Sequence, residues 1–312
     1  MYKYVIKRLL LMIPVLLGIS FAVFFLMNLT PGTPADIIMG ELATPEAKEA
    51  MNESLGWNQP FLKRYLDYIV GVFQGDFGNS YVSGLSVMKE LFTRFPTTFR
   101  LALYSMILAA VVGIPVGVAC AVKQYSLMDS FSTVFALVFV SIPSFWLGLL
   151  MIILFSVKLH WLPAYGSESF VQFIMLAITC SAATLATLIR MTRSTMLEVI
   201  RQDYIRTAYA KGASKGRVIV KHALQNAMIP IITIVGVNFG YMLGGAVITE
   251  NVFGMSGIGN LLLNSIRSKD IPMVMGGVLI ISVMFSVINL LLDIIYAFID
   301  PRVKAQYKKG GT

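Results

Sequence analysis

The segment between Glu198 and Pro230 carries a dense set of charged side chains and lies between two apolar segments. Its acidic residues are Glu198 and Asp203, and its six cations are Arg201, Arg206, Lys211, Lys215, Arg217 and Lys221. Guanidinium and ammonium groups donate hydrogen bonds to carboxylates and carbonyls, and they are too costly to bury in hydrocarbon. The segment is therefore predicted to be a loop outside the membrane, either a structured contact region or a solvated connection.

Local signals predict a short helix, a break and a longer helix within this loop. Asp203 is placed to cap the N-terminus of a helical turn over residues 204–211. Gly212 supplies a residue that tolerates positive φ where such a helix ends. Ser214 is a second candidate N-cap, and apolar residues recur from there toward Pro230.

Neither the cysteines nor the histidines are spaced for a metal site. Cys120 and Cys180 fall in apolar segments as predicted packing residues, while His160 and His222 have no second His or Cys nearby. The sequence has no Ser/His/Asp arrangement or paired carboxylates, and the run AKGASKG lacks the order GxxxxGK[ST] of a phosphate-binding loop. The chain is therefore predicted to catalyse no reaction and to bind no metal or cofactor itself.

Composition places the elements around these residues in a membrane. The chain has 312 residues, of which 57% are hydrophobic and only 13% charged, and its mean hydropathy is +0.76. A water-soluble globule needs more polar surface than this. Because about 20 apolar residues cross a bilayer, the charge-free runs predict an all-α integral membrane protein with transmembrane helices. The six predicted spans, numbered in chain order, cover residues 9–29, 101–122, 131–157, 170–189, 229–248 and 272–292.

The placement of Lys and Arg predicts that both termini lie in the cytoplasm. With that orientation, 16 of the 25 cations face inward, and six of the 9 outer ones lie in the long first loop, where charge has less influence. The net charge of +9 is then explained by membrane topology, so no nucleic-acid partner is predicted. The first apolar run follows Lys3, Lys7 and Arg8 and continues unbroken to Leu29, which predicts a retained helix rather than a cleaved signal.

The predicted organisation has four parts. Residues 1–30 form the first transmembrane helix, 31–98 an extracytoplasmic loop, 99–300 the core with spans 2 to 6, and 301–312 a basic cytoplasmic tail. The core includes the charged cytoplasmic loop, assigned to residues 191–228.

Proline and glycine residues mark where helices begin and end in the predicted extracytoplasmic loop. Pro31, Gly32 and Pro34 end span 1, because proline cannot continue a helix. The run Thr44-Pro45-Glu46 predicts an amphipathic helix that Gly56 ends, and Gln59-Pro60 predicts another on the outer surface. One face of this second helix is predicted to hold Leu62, Tyr65, Leu66, Ile69 and Phe73.

Small residues and one proline shape the predicted spans. Stripes of small residues, four apart, occur in spans 2 and 5; they are Ala109, Gly113, Gly117 and Ala121, and Gly236, Gly240 and Gly244. Such stripes let helices approach closely in lipid, so packing seams are predicted, with a substrate-lining wall as the alternative for span 5. In span 3, Pro143 is predicted to bend the helix, and Ser141 and Ser144 can bond the freed carbonyls.

The predicted spans lack the ionisable groups that would couple transport to an ion gradient. An ion-coupled carrier generally needs ionisable groups at membrane depth, and the cores of all six spans contain no Asp, Glu, Lys, Arg or His. Glu250 and Asp293 lie only at span ends. This favours a pore subunit driven by a separate ATPase, although sodium sites built from backbone carbonyls stay open as an alternative.

The charged loop resembles the cytoplasmic loop of ABC importer permeases, in the oligopeptide, dipeptide and nickel branch. The resemblance rests on Arg206-Thr207-Ala208, then Gly212, then the run HALQNA and Pro230. The chain keeps Ala208 and Gly212 of the broader superfamily pattern and departs from it at Arg206 and Thr207, as the peptide branch does.

Other blocks extend the resemblance along nearly the whole chain. The order NLTPGTPA, LGWNQP, RYLDY and GDFGNS in the first loop resembles the first of the two permease subunits in peptide importers. The segment from Glu250 to Asn260 is similar to the outer E-x-V-F-x-x-x-G-x-G segment of that family, with Met255-Ser256 where many members differ. The final DPRV is similar to the end of the last helix in that subunit.

The resemblance implies the six-helix, MetI-like permease fold of type I ABC importers. It also implies the partners: a second homologous permease, two ATPase subunits that use ATP and Mg²⁺, an extracytoplasmic substrate-binding protein and the lipid bilayer. The location would be a bacterial or archaeal cytoplasmic membrane. Peptides are the expected cargo, with nickel chelates or glutathione as alternatives; an ion-coupled secondary transporter and a non-transporting scaffold are the alternative classes.

The resemblance further implies roles for individual residues. The ATPase-coupling helix would use Thr207, Ala208 and Gly212 for fit and Arg206 and Lys211 as polar contacts, and Asp203 belongs to the same set. Positive-inside anchoring alone is the alternative role of the two cations. Two further sets are proposed: Ser141, Pro143, Asn238 and Tyr241 for the translocation path, and Glu250, Phe253, Gly257 and Gly259 for an outer gate. Phe253 and Ile258 are expected to plug toward the neighbours of this segment.

Overall fold

The computed structural model describes residues 2–40 and 42–299, and these residues are organised as helices without a β-sheet. The predicted tail 301–312, like the DPRV run, lies outside the described residues. The helices are α1 (Tyr2–Leu29), α2 (Pro34–Met39), α3 (Pro45–Ser54), α4 (Phe61–Phe73), α5 (Val87–Val122), α6 (Leu127–Ser141), α7 (Ser144–Met151), α8 (Phe170–Ile200), α9 (Asp203–Ala210), α10 (Lys215–Arg217), α11 (Gln225–Gly245), α12 (Val247–Val252), α13 (Ile258–Arg267) and α14 (Ile271–Ile299). Two π-helical segments, Ile152–Lys158 and Val218–Leu224, continue α7 and α10.

Helix lengths agree with a multi-pass membrane protein. Among the described residues, five helices are long and apolar enough to cross a bilayer: Val5–Leu29, Val87–Val122, Phe170–Ile200, Lys215–Gly244 and Ile271–Ile295. A sixth crossing is counted if α6 and the segment Ser144–Lys158 are taken as one bent span. The predicted all-α architecture with six spans is confirmed on that count, and several helices extend beyond their predicted spans.

The predicted bend in span 3 is a complete break. The axis turns by 102° between Leu127–Ser141 and Ser144–Lys158. Ile142 is extended because the residue before a proline is pushed out of the helical region, and Pro143 then precedes the first turn of α7. The Ser141 hydroxyl donates to the carbonyl of Leu137 at 2.9 Å, as expected for a serine beside freed carbonyls.

The chain divides into two compact units. The first comprises residues 2–98 and 256–286, which include α1 to α4, α13 and the beginnings of α5 and α14. Its core groups Phe24, Met27 and Tyr65 with Ile271, Val274 and Met275. The hydroxyl of Tyr65 hydrogen-bonds Ser20 at 2.9 Å and donates to the Leu17 carbonyl at 3.0 Å, which fixes α4 along α1.

Two details of the first unit differ from the sequence predictions. The predicted apolar face of α4 is split: Tyr65 is buried, while Leu62, Leu66 and Phe73 stay exposed, as on a helix that rests on lipid. Pro34 does not end a helix; it is the first residue of α2. Thr33 before it and Asp36 after it form a capping box at the N-terminus of that helix. The predicted helices beginning at Pro45 and near Pro60 are confirmed, and Gly56 has a φ of +67° after the first of them.

The second unit comprises residues 99–255 and 287–299 of the described chain. Here the small-residue stripe of α5 is a packing seam, as predicted. A Cβ at Gly117 would lie 2.6 Å from that of Thr192, and one at Gly113 would lie 3.0 Å from that of Leu188, so α5 and α8 touch almost backbone to backbone. Gly236 of α11 similarly leaves space for Leu292 of α14, so this position is a seam rather than an open wall.

Candidate functional site

The short helix α9 is built from the charged loop that the sequence singled out. Its C-terminal turn is closed by backbone bonds, from Gly212 N–H to the Tyr209 carbonyl at 2.9 Å and from Ala213 N–H to that of Ala208 at 3.2 Å. Gly212 has a φ of +80°, as predicted, and no atom lies within 4 Å of the place where a Cβ would stand. The glycine is therefore required by backbone conformation and not by lack of space.

One buried side chain anchors α9 to the rest of the second unit. Ile205 is 1% exposed and packs in a cluster with Leu188 and Met196 of α8 and with Val218 and Ala223 of the π-helical segment. Ala208 packs against the same cluster, and the other residues of α9 are exposed. Ile205 therefore joins α9 to α8 and to the helix that leads into α11.

The polar residues predicted for ATPase contact lie together on the exposed side of this loop. Thr207, Lys211 and Gly212 are exposed, Ala208 is half-buried, and the side chains of Arg206 and Asp203 are 80% and 97% exposed. The prediction that Asp203 is an N-cap is wrong: Gln202 holds that position, without a side-chain bond, because Asp203 is already the first helical residue. Asp203 instead lies 3.9 Å from Arg206, and its carbonyl accepts a bond from the Thr207 hydroxyl.

Two tyrosines of α9 were missed by the sequence reasoning. Tyr204 and Tyr209 are each 44% exposed on a helix of eight residues. Partial burial raises the pKa of Tyr204, so its hydroxyl stays protonated. Exposed tyrosines beside an arginine are the residue types that dominate protein interfaces, which is the signal that could have found them.

A partly buried ion pair holds α8, the helix that leads into α9, and the sequence reasoning missed it as well. Arg193 of α8 donates through Nε to Asp129 Oδ1 at 2.5 Å and through an Nη to Oδ2 at 2.9 Å. The backbone N–H of Tyr125 donates to the same carboxylate at 2.9 Å. The Asp129 side chain is only 4% exposed, so the turn between α5 and α6 is fixed to α8 by a bidentate, largely dehydrated contact.

The four predicted path residues fall into two groups. Asn238 and Tyr241 line a cavity of about 230 Å³, together with Ser144, Cys180, Thr184, Met242, Ala246 and Thr249. The Thr184 hydroxyl donates to Asn238 Oδ1 at 3.4 Å, and Asn238 Nδ2 donates to the Ile234 carbonyl at 2.9 Å. Ser141 and Pro143 instead line an open groove at the bend, beside Phe145 and Trp146. The cavity lining contains hydroxyl and amide groups and no charged residue.

The residues predicted for the outer gate are largely buried inside this chain. Glu250 and Phe253 are 0% exposed, and Phe253 lies against α7, where a Cβ on Gly148 would stand 3.0 Å from its ring. Ile258 is 2% exposed in the core of the first unit. Phe253 and Ile258 thus pack against neighbouring elements of the same chain.

The glycines of that segment differ in backbone conformation. The positive φ, +57°, belongs to Gly254. Gly257 has a φ of −100° and precedes α13, while Gly259 is buried in the first turn of that helix. Among residues 2–40 and 42–299, no three His, Cys, Asp or Glu side chains are grouped so that they could hold a metal ion.

Comparison with known proteins extends these observations. Residues 113–305 match the family described as "Binding-protein-dependent transport system inner membrane component", and residues 1–102 match its N-terminal counterpart. The chain is 39% identical to the dipeptide transport system permease protein DppB of Alkalihalophilus pseudofirmus, over 97% of this chain and 100% of that protein. It is 40% identical to the glutathione transport system permease protein GsiC of Escherichia coli K12, over 97% and 99% of the two chains.

A solved structure shares the fold. A chain of the MetNI methionine ABC transporter in an inward-facing conformation superposes with a TM-score of 0.55 at 20% identity, covering 68% of this chain and 97% of that one. At this identity the likeness concerns the fold alone.

Proposed function

Because this chain belongs to the family of binding-protein-dependent transport system inner membrane components, we propose that it forms part of the translocation path for short peptides in an ATP-driven importer. It is a multi-pass inner membrane permease, a transport subunit rather than an enzyme. The proposed assembly adds a second homologous permease, two ATPase subunits that bind ATP and Mg²⁺, and an extracytoplasmic substrate-binding protein. Both termini are proposed to lie in the cytoplasm of a bacterium or archaeon.

The observation that carries the proposal is the construction of α9. Ile205 fixes this helix to the core of the second unit, while Arg206, Thr207 and Lys211 stay exposed beside two half-exposed tyrosines. A helix that is rigidly attached on one side and polar and aromatic on the other suits the transfer of motion from a cytoplasmic ATPase. We assign α9 as the coupling helix of this chain.

The proposed cargo follows from the neutral cavity and from the relatives. Hydroxyl and amide groups around Asn238 and Tyr241 can exchange hydrogen bonds with a peptide backbone without holding either of its charged ends. A path with weak and uncharged contacts lets a substrate leave as easily as it enters. The similar proteins are named as dipeptide and glutathione permeases, and glutathione is itself a short peptide.

The test replaces Gly212 by tryptophan in the assembled transporter. Because φ at this position is +80° and the surroundings are open, Gly212→Trp strains and enlarges the turn after α9 without clashing in the core. Gly75→Trp is the matched control, since Gly75 has a φ of +84° and equally open surroundings but lies outside the charged loop. Membrane insertion, co-purification of the ATPase and ATP-dependent peptide uptake are measured in proteoliposomes.

We expect Gly212→Trp to insert normally and to lose uptake, whereas Gly75→Trp keeps both. Normal uptake by Gly212→Trp would contradict the coupling role of α9. Uptake driven by an ion gradient in vesicles that hold this chain alone would contradict the proposal as a whole and favour a secondary carrier.

A further inference from the structure

A cavity of about 300 Å³ lies within the first unit, and the proposed transport path does not use it. Its walls come from α1, α4, the start of α5 and α14. Among the described residues that line it, Ser20 alone is polar. The Ser20 hydroxyl is already engaged, since it donates to the Leu17 carbonyl at 2.9 Å and hydrogen-bonds the Tyr65 hydroxyl at 2.9 Å. The space, which we call the apolar cavity, therefore offers a ligand almost entirely apolar contacts.

The apolar cavity lies at the depth of the hydrocarbon core. Helices α1 and α14 are both long and apolar enough to cross a bilayer. The lining residues of α1 lie in the middle of the charge-free run 9–29, and those of α14 lie in the middle of the charge-free run 272–292. Because the chain belongs to a family of inner membrane components, the middle of each run is surrounded by lipid tails.

The opening of the apolar cavity is apolar as well. Ile13, Phe73 and Phe92 line the cavity and are 42%, 70% and 57% exposed, so they border its opening. The exposed surface continues as Leu9 and Leu10 on α1 and as Leu66 and Val70 on α4. The cavity is thus continuous with the lipid-facing surface of the first unit.

The chemistry of the lining excludes most occupants. A resident water molecule needs two to four polar partners, which this lining lacks. A peptide segment would leave its backbone amides without hydrogen bonds. One turn of an α-helix, about 10 Å across and about 5.4 Å long, has a volume of roughly 400 Å³, so no helix of another subunit fits inside.

A hydrocarbon chain has the chemistry and the size that remain. A cavity of about 150 Å³ lined by Leu, Ile and Phe side chains holds one benzene molecule, so twice that volume holds roughly twelve carbon atoms. Such a chain is present in every lipid of the surrounding bilayer. Without an occupant the cavity would leave its lining side chains without contacts on one side, which is unfavourable.

We propose that the apolar cavity binds one acyl chain of a membrane phospholipid. The chain enters from the lipid-facing surface beside Phe73 and fills the space between α1, α4 and α14. No charged residue lines the cavity, so the headgroup stays outside it. This inference depends on the membrane location of the chain and is independent of the transported cargo.

The test variant is Val72→Phe, with Val70→Phe as its matched control on the same helix. Val72 is half-buried and lines the cavity, so a phenyl ring at this position occupies the space of the acyl chain. Val70 is 55% exposed and is not part of the lining, so the same ring points away from the cavity there. Val283→Phe fills the cavity from α14 and repeats the test if Val72→Phe does not assemble.

The first measurement is photo-labelling of the complete transporter in nanodiscs. The probe is a phosphatidylglycerol with a diazirine in the middle of one acyl chain, and labelled residues are identified by mass spectrometry. We expect labelling of Val283 and Met284, which are half-buried in the cavity, in the wild type and in Val70→Phe. Val72→Phe should lose it, while labelling of the exposed Leu9 and Leu10 stays equal in all variants.

The second measurement is the melting temperature in detergent, with and without added phosphatidylglycerol. Removal of lipid empties the cavity of the wild type, so the wild type and Val70→Phe should melt lower without lipid and recover when it is added. In Val72→Phe and Val283→Phe the phenyl ring already fills the space, so their melting temperatures should depend less on lipid.

The contrary outcomes are distinct. Absence of label on Val283 and Met284 in the wild type refutes the proposal, whatever the variants do. Equal labelling and equal dependence on lipid in the wild type and in both filled variants refute it as well. If the filled variants lose another protein subunit during purification and Val70→Phe keeps it, a side chain of that subunit occupies the cavity and the proposal fails. None of these readouts involves peptide uptake, so a failure of the proposed transport function would leave them unchanged.

Discussion

Removing the charge of Asp129 should loosen the helix that carries the coupling helix. The carboxylate accepts two bonds from Arg193 and one from the Tyr125 N–H, and its side chain is 4% exposed. Asp129→Asn is the suitable perturbation, because the amide keeps the shape and one acceptor for Tyr125 while the ion pair is lost. The Arg193 guanidinium is then left without its counter-ion.

The expected size follows from the burial of the two partners. Breaking a fully buried ion pair costs about 3–5 kcal/mol, because a charge is left without compensation. The Arg193 side chain is 27% exposed, so water can replace part of the lost interaction. We therefore expect Asp129→Asn to lower the free energy of unfolding by about 2–3 kcal/mol.

The assay is a double-mutant cycle of Asp129→Asn and Arg193→Met, with unfolding in mixed micelles as the readout. A coupling energy of about 1–3 kcal/mol is expected for two groups in direct contact. The same cycle on Asp203 and Arg206, which lie 3.9 Å apart and are almost fully exposed, should give no resolvable coupling. Equal stability of wild type and Asp129→Asn, or equal coupling in the two cycles, would refute the reasoning.

Two further predictions concern α9 and the loop after α1. Ile205→Ala should cost about 2–5 kcal/mol and abolish peptide uptake, because it deletes the only deeply buried side chain of α9, whereas Val220→Ala at a 61% exposed position should do neither. For Asp36, a backbone hydrogen bond from Thr33 is the main cause that lowers the pKa, so the stability gained is present above the unfolded value of 3.8 and is lost as the pH falls through the folded value. The difference in melting temperature between wild type and Asp36→Asn should thus be visible at neutral pH and vanish in acid.

These two predictions have clear contrary outcomes. Full uptake by a stable Ile205→Ala transporter would show that α9 is held by other contacts. A difference between wild type and Asp36→Asn that persists unchanged below pH 3.8 would show that the carboxylate charge is not its cause.

The features predicted best from the sequence are those that depend on a few neighbouring residues. Runs without charge give the spans, and Pro143 gives the break, because these effects act within a few residues. Gly212 was assigned correctly for the same reason, since only the backbone turn matters there. Thr33 and Pro34 show the limit of this reasoning, because a proline signals a stop or a start according to whether a capping side chain precedes it.

Contacts between distant segments could not be predicted. Asp129 and Arg193 are 64 residues apart, so no local pattern in the sequence joins them. The neighbour of Phe253 could not be named from the sequence either, because Gly148 of α7 lies far from it along the chain. The hydrogen bond from Arg64 to Asn28 likewise joins residues 36 positions apart, which only the folded loop establishes.

The break at Pro143 has a mechanical consequence. Because the chain turns through 102° there, a thrust along the axis of α6 is not passed on as a thrust along Ser144–Lys158. A movement of α6 along its axis would instead displace that segment sideways, nearly perpendicular to its own axis. Asp129 lies at the other end of α6, where its ion pair with Arg193 would apply the force from α8.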